Sequence, residues 1–257
     1  MPDTWVNEEV CIVVKTYPVP AWNGIEVSCT AAITRAGNWI RLFPVPFRFL
    51  SADKRFRKYQ WVQLRVRKSS DPRLESFHID PDSINVLNDQ PVSTADKWQA
   101  RKSIVFPLLS NSYCALKAKR DLDQSPTLGL FKPKTIKRLV MEEVQPNWSD
   151  AELARLRQTD MFADAPPKEL EKIPHKISYE FTCAEDNCPG HTFMCSDWEM
   201  GESYRQWRQK YGVNWEKPFR DKFEHEMIAK RDTHFYVGTI HQHPANWIIV
   251  GLFYPPL

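Results

Sequence analysis

The run Cys183-x4-Cys188-x2-His191-x3-Cys195 gathers four residues of metal-ligating type into thirteen positions. Thiolates and an imidazole satisfy a borderline-soft cation such as zinc in a tetrahedron, and a tight turn between two ligand pairs brings them together. Pro189 and Gly190 supply that turn. If HTFMC is extended, His191, Phe193 and Cys195 point to one face, toward Cys183 and Cys188. Ser196 with Glu199 three positions on is a capping-box pattern, so a helix should follow directly. The expectation is a closed, structural zinc knuckle of Cys183, Cys188, His191 and Cys195. Four protein ligands leave no position for water, which argues against hydrolysis at this metal. The competing reading is a buried cysteine pair near a turn, with an incidental His and Cys; if Cys195 stays out, Asp197 or Glu199 reopen a catalytic role.

Glycine is scarce and proline abundant, 8 and 20 in 257 residues, so turns must lean on proline. No GxGxxG or GxxxxGK[ST] run exists to cradle a phosphate, which excludes the usual nucleotide-driven motors and dinucleotide dehydrogenases. No opening charged-then-apolar segment and no apolar run of about 20 residues occurs, so a cytoplasmic protein is expected. In that reducing setting clustered cysteines read as ligands rather than disulfides.

The fold class expected is α+β. VCIVVKTYPV, IEVSCTAAIT, NWIRLFPV, YQWVQLRVRK and TIKRLVMEEV are rich in β-branched and aromatic residues and bounded by turn formers, and RAGN between the second and third suggests a hairpin. Residues 1–145 therefore read as a β-rich region of one small OB-like barrel or a pair, with one helical insertion from about Ala95 to Ile104, capped by Thr94. A boundary falls near residue 146. Residues 146–257 read as an α+β module: a short helix opened by Ser149 and Glu152, a Pro-rich linker over 160–175, the strand ISYEFTC, the Cys/His run, two helices, and the closing strands FYVGTI and NWIIVGLFY. Phe219, Phe223 and Met227 recur on one helix face as core.

KRFRKYQWVQLRVRK, residues 54–68, carries seven basic residues and no acidic one. Strand alternation sends Val62, Leu64 and Val66 to a core and Tyr59, Trp61, Arg65 and Arg67 to the opposite face. Rings that stack on bases interleaved with guanidinium groups that meet phosphates are how barrels hold single-stranded nucleic acid. Lys54, Arg55, Arg57 and Lys58 would extend the positive track. The plain alternative is a solvated strand face with protective charge.

VVKTYPVP, GNWIRLFPVPFR, RFRKYQWVQLRV, DPRLESF and LGLFKPK, in this order, resemble a bacterial family described by a dual OB-type domain. The resemblance covers roughly the first 145 residues; it implies the barrel fold and transfers no catalytic residue. CAEDNCPGHTFMCSDWE resembles a module appended in similar proteins. By family analogy the chain would be the recognition part of a larger nucleic-acid-processing or defence assembly.

His241 and His243 in TIHQHP would share a face if extended, and with Asp197 or Glu199 they define an alternative, a metal-dependent nuclease or hydrolase. DPRLES reads as a Pro-initiated turn with a local ion pair. The expected function is nonenzymatic nucleic-acid binding, with zinc fixing the second module; a protein-interaction scaffold is a third alternative.

Overall fold

The computed structural model describes residues 4–21, 26–157, 168–241 and 243–257. Two compact units are present, one of Met1–Pro91 with Val144–Pro174, the other of Val92–Glu143 with His175–Leu257. The chain thus passes between units three times, where the sequence suggests one boundary near residue 146.

In the first unit the strands are β1 (Val6–Lys15), the short β2 (Val19–Pro20), β3 (Glu26–Thr34), β4 (Trp39–Val45), β5 (Trp61–Lys68), β6 (Ser76–Ile79) and the short β7 (Asn85–Val86). Pairing in the order β1-β3-β4-β6-β5, with β5 returning to β1, closes a five-stranded barrel. All neighbours are antiparallel except β4 and β6. That arrangement is compatible with an OB-like fold. The RAGN hairpin forms as expected: Thr34 N–H donates to Asn38 O at 3.0 Å, and Gly37 takes a positive φ of 79°.

Alternation in β5 holds from Val62 onward. Val62, Leu64 and Val66 enter a mainly aliphatic core with Val10, Ile12, Ile40 and Leu42. Each such side chain contributes about 1.5–3 kcal/mol relative to exposure. Residues 144–174 add to this unit a helix, α3 (Asp150–Arg157), opened by the expected capping box: Ser149 N–H donates to Glu152 Oε2 at 2.8 Å and Glu152 N–H to Ser149 Oγ at 3.3 Å. Residues 160–167 of the expected linker lie outside the described residues.

The second unit opens with the helical insertion, α1 (Ala95–Val105), ending ahead of Pro107 as expected. Its start differs: Thr94 makes no side-chain cap, and Ser93 Oγ accepts from Ala95 N–H at 3.0 Å. Then follow β8 (Leu109–Ser110), a second helix that the sequence reading did not place, α2 (Tyr113–Asp123), β9 (Leu128–Phe131), β10 (Thr135–Glu143), β11 (His175–Thr182), β12 (His191–Met194), α4 (Trp198–Tyr211), α5 (Glu216–Arg220), β13 (His234–Thr239) and β14 (Trp247–Phe253). They make a three-stranded sheet, β10-β11-β12, and a four-stranded one, β14-β13-β9-β8.

This core is aromatic. Tyr179, Phe131, Phe181, Phe235 and Phe253 are all fully buried, and Phe181 lies 5.4–5.5 Å from Phe131 and Phe235. Phe219, Phe223 and Met227 line the expected buried face. Between α5 and Met227 the helix widens to a π turn over Asp221–Glu226, where the buried Tyr179 hydroxyl donates to the Phe223 carbonyl. No helix of the described residues is long and apolar enough to cross a membrane.

Candidate metal centre

Residues Ile177, Tyr179 and Phe181 of β11 face the core, and Cys183 continues that face at 1% exposure. A turn follows, in which Cys188 N–H donates to Glu185 O at 3.1 Å. Gly190 then takes a φ of +80°, a conformation that favours glycine. The chain returns as β12, with His191 paired to Phe181. So far the site is the one the spacing implies: Cys183, Cys188 and His191 converge.

The fourth donor comes from elsewhere. Ser112 caps α2, its Oγ accepting from Ala115 N–H at 3.0 Å, and this sets Cys114 in the first turn of the helix. The same hydroxyl donates to the Glu185 carboxylate, tying helix to turn. Leu116, two residues on, packs close against Gly129 of β9: a Cβ there would lie 2.6 Å from the Leu116 Cδ1, so a larger residue would make this side chain shift. Cys114, Cys183, Cys188 and His191 bring their donor atoms within 4.8 Å of one another and could hold a metal ion. Cys114 Sγ and Cys188 Sγ each lie 3.3 Å from His191 Nε2, and Cys183 N–H points at Cys188 Sγ at 3.2 Å. The Tyr113 ring packs edge-on against His191 at 4.7 Å and walls the site.

Cys195 does not join this group. It is buried, its N–H donates to Ile177 O at 2.7 Å, and it bridges to Ile249. Four residues of extended chain advance about 13 Å, so His191 and Cys195 can share a strand face without sharing a cation. Cys114 lies 77 residues from His191, and no local spacing announces so distant a partner. The signal available was the serine cap of SYCALKAKRDLD, which marks a helix start with a thiol in its first turn.

Burial and crowding shift all four side chains. Burial pushes the Cys114 thiol up to about 12, with Cys183 adding to the effect, and burial raises Cys183 too. For Cys188 burial also pushes upward, but the N–H groups of Cys183 and Gly190 and the neighbouring thiols outweigh it and the net shift is down. Burial depresses His191, which keeps its imidazole neutral and able to donate a lone pair.

The alternative catalytic residues have structural roles or lie apart. Asp197 caps α4, accepting from Glu199 N–H at 2.7 Å and from Leu252 N–H at 3.0 Å, while Glu199 accepts from the Tyr254 hydroxyl at 3.1 Å. His241 and His243 occupy the β13–β14 turn and, among the described residues, join no group able to hold a metal. In DPRLES, Asp71 and Arg73 form the local pair expected of a turn.

The basic run is more internally engaged than expected. Tyr59 is 3% exposed with a φ of 64°, ahead of the first strand residue, so it turns into the interior rather than onto the outer face. Lys58 is buried. Arg55 donates to the carbonyls of Leu50 and Arg48, Arg57 to that of Asp89, and Lys54 pairs with Asp82 at 3.3 Å. Trp61, Arg65 and Arg67 do alternate outward. Arg65 pairs with Asp80 yet keeps its side chain half exposed.

A domain of unknown function, DUF8757, matches residues 109–257, which is more than half of the chain. The chain belongs to the DUF8757 family. All four candidate ligands fall within the DUF8757 match, whereas a second domain of unknown function, DUF8758, matches residues 6–107 and takes in the barrel. No curated protein matches the chain.

Proposed function

We propose that this protein is a nonenzymatic, single-stranded nucleic-acid-binding protein whose OB-like barrel carries the contact surface and whose second unit is fixed by zinc. Two guanidinium–indole stacks on the outer face of β1 and β5 carry the reading. The Arg35 guanidinium lies 3.6 Å from the Trp61 ring centre, and that of Arg67 lies 5.1 Å from the ring of Trp5. Antiparallel pairing of Val6 with Val66 and Cys11 with Trp61 sets the two stacks at opposite ends of one strip, about 20 Å apart along β5. Arg65 lies between them.

Stacked guanidinium and indole planes are held in place before a ligand arrives, so less side-chain freedom is lost on binding. A base can then stack on the remaining ring or guanidinium face, at about 1–3 kcal/mol per base. Arg67 adds positive charge to the strip, whereas Arg35 and Arg65 already pair with Glu9 and Asp80 and would have to exchange those carboxylates for phosphates, so the salt slope should lie between about −0.7 and −2 for a single strand. The upstream track is left out, because Lys54, Arg55, Arg57 and Lys58 are already engaged within the barrel.

Zinc is assigned from the donor set. Zn–S of about 2.3 Å and Zn–N of about 2.05 Å in a tetrahedron place sulfur and nitrogen about 3.6 Å apart, close to the two 3.3 Å contacts at His191. Cys114, Cys183, Cys188 and His191 would hold it as a closed set, and the ion would supply a cross-link.

Fluorescence anisotropy with labelled single-stranded DNA and RNA tests the first part. Trp61→Ala and Trp5→Ala should each weaken binding about 5–100-fold, corresponding to one lost stack, with unchanged circular dichroism. Binding that ignores both substitutions and ionic strength refutes it. Elemental analysis of the purified protein should find one zinc per chain, lost in Cys114→Ser.

A further inference from the structure

We infer that Cys188 is a site of oxidative modification by hydroperoxides, and that the product is a Cys183–Cys188 disulfide that dismantles the metal centre. The consequence for the metal rests on the metal-centre reading; the sulfur chemistry rests on geometry alone.

Three thiol sulfurs lie within 4.8 Å of one another, so any pair is close enough to react. They differ in access and in freedom to move. Cys188 is half-buried on a turn flanked by the exposed Asn187 and Pro189, whereas Cys183 lies in the core at 1% exposure. An incoming peroxide therefore meets Cys188 before Cys183. Its sulfur already lies 3.2 Å from the backbone nitrogen of Cys183, five residues earlier. Cys114 is held on a different element, by the Ser112 cap and by the contact of Leu116 with Gly129. Cys183 is the better placed second thiol.

The Cys188 thiolate attacks one oxygen of hydrogen peroxide; the O–O bond breaks, and hydroxide leaves to become water, giving a sulfenic acid. The Cys183 sulfur then attacks the Cys188 sulfur, the S–O bond breaks, and a second water departs with the Cys183 proton. Two thiols are oxidised by two electrons and one peroxide is reduced to two waters. Cys114 and His191 remain, and two donors cannot complete a tetrahedral site. The link from α2 to the turn of residues 183–190 is then lost at the metal.

The test is peroxide treatment of the full chain as purified, followed by alkylation of free thiols, peptide mapping, and colorimetric detection of released metal. The expected result is a mass loss of about 2 Da, a 183–188 disulfide, Cys114 recovered as an alkylated thiol, and full loss of bound metal. Cys114→Ser should still form the disulfide, and Cys188→Ser should leave Cys183 reduced. A disulfide containing Cys114, or Cys183 and Cys188 left reduced while Cys29 oxidises, overturns the inference. Metal retained with all thiols reduced overturns it while leaving the metal centre standing. A chain purified without metal that still forms the 183–188 disulfide supports the modification and refutes the metal reading.

Discussion

The two units hold themselves together by different means. In the first, Val10, Ile12, Ile40, Leu42, Val62, Leu64 and Val66 fill a closed barrel, and the backbone ladder returns on itself through β1 and β5. In the second, two open sheets surround rings such as Tyr179, Phe181 and Phe235, and a thiol from α2 meets donors from the β11–β12 turn. Closure removes the free edges of a sheet, so a barrel needs no further fastening. Open sheets leave elements that must be tied down, and a metal ion held by Cys114, Cys183, Cys188 and His191 would do this for α2.

The sharpest way to break this contrast is to remove the tie. Cys114→Ser, or a strong chelator, should cost the second unit at least about 3 kcal/mol of the roughly 10–16 kcal/mol that structural zinc sites carry. Hydrogen exchange should then show protection lost in α2 and β12 but retained in β1, β3 and β5. Uniform loss across both units, or none, would remove the distinction. The converse substitution acts on the barrel: Leu64 is 2% exposed at the middle of β5, and Leu64→Ala should cost about 2–5 kcal/mol in denaturant melts while leaving bound metal at one per chain.

Acid should also separate the units. Burial depresses His175 and His234, both in the second unit, below the ordinary imidazole value of 6.5. The unfolded chain then binds protons that the folded imidazoles refuse. Their stabilising effect is complete above 6.5 and is lost as pH falls from 6.5 through the folded values. With zinc in excess, the melting temperature should fall from pH 7.5 to 5.5, less steeply in His234→Gln. A midpoint for the His234 ring at or above 6.5 by NMR would contradict this.

The units also differ in how far their sequences disclose them. Period-two alternation of Val62, Leu64 and Val66 is a local pattern, and it led to a barrel strand with the correct inner face. The same alternation carried back to Tyr59 failed, because the strand begins at Trp61 and Tyr59 adopts a left-handed backbone that reverses its direction. In the second unit Cys183, Cys188 and His191 were legible because one turn gathers them. Cys114 was not, since what brings it there is the seating of a whole helix on β9. Cys195 lies outside the converging donors for the opposite reason: closeness in sequence on an extended strand means distance in space.

Helix caps give the smallest and most direct comparison. Ser149 and Ser112 each accept from the N–H three residues on, at 3.3 and 3.0 Å, but Ser149 opens an exposed helix in the first unit, while Ser112 is fully buried at the start of the helix that carries Cys114. Water can replace the hydroxyl at the exposed cap, so Ser149→Ala should cost about 0.5–1 kcal/mol. Ser112→Ala should cost about 2 kcal/mol, because the Ala115 N–H and the Glu185 carboxylate both lose a buried partner. It should also weaken metal binding, since Ser112 holds Cys114 and the residue 183–190 turn in register, whereas Ser149→Ala should leave metal affinity unchanged. Competition titration with a chromogenic chelator reads the difference. Equal affinities in the two variants would show that the metal, not the cap, positions α2.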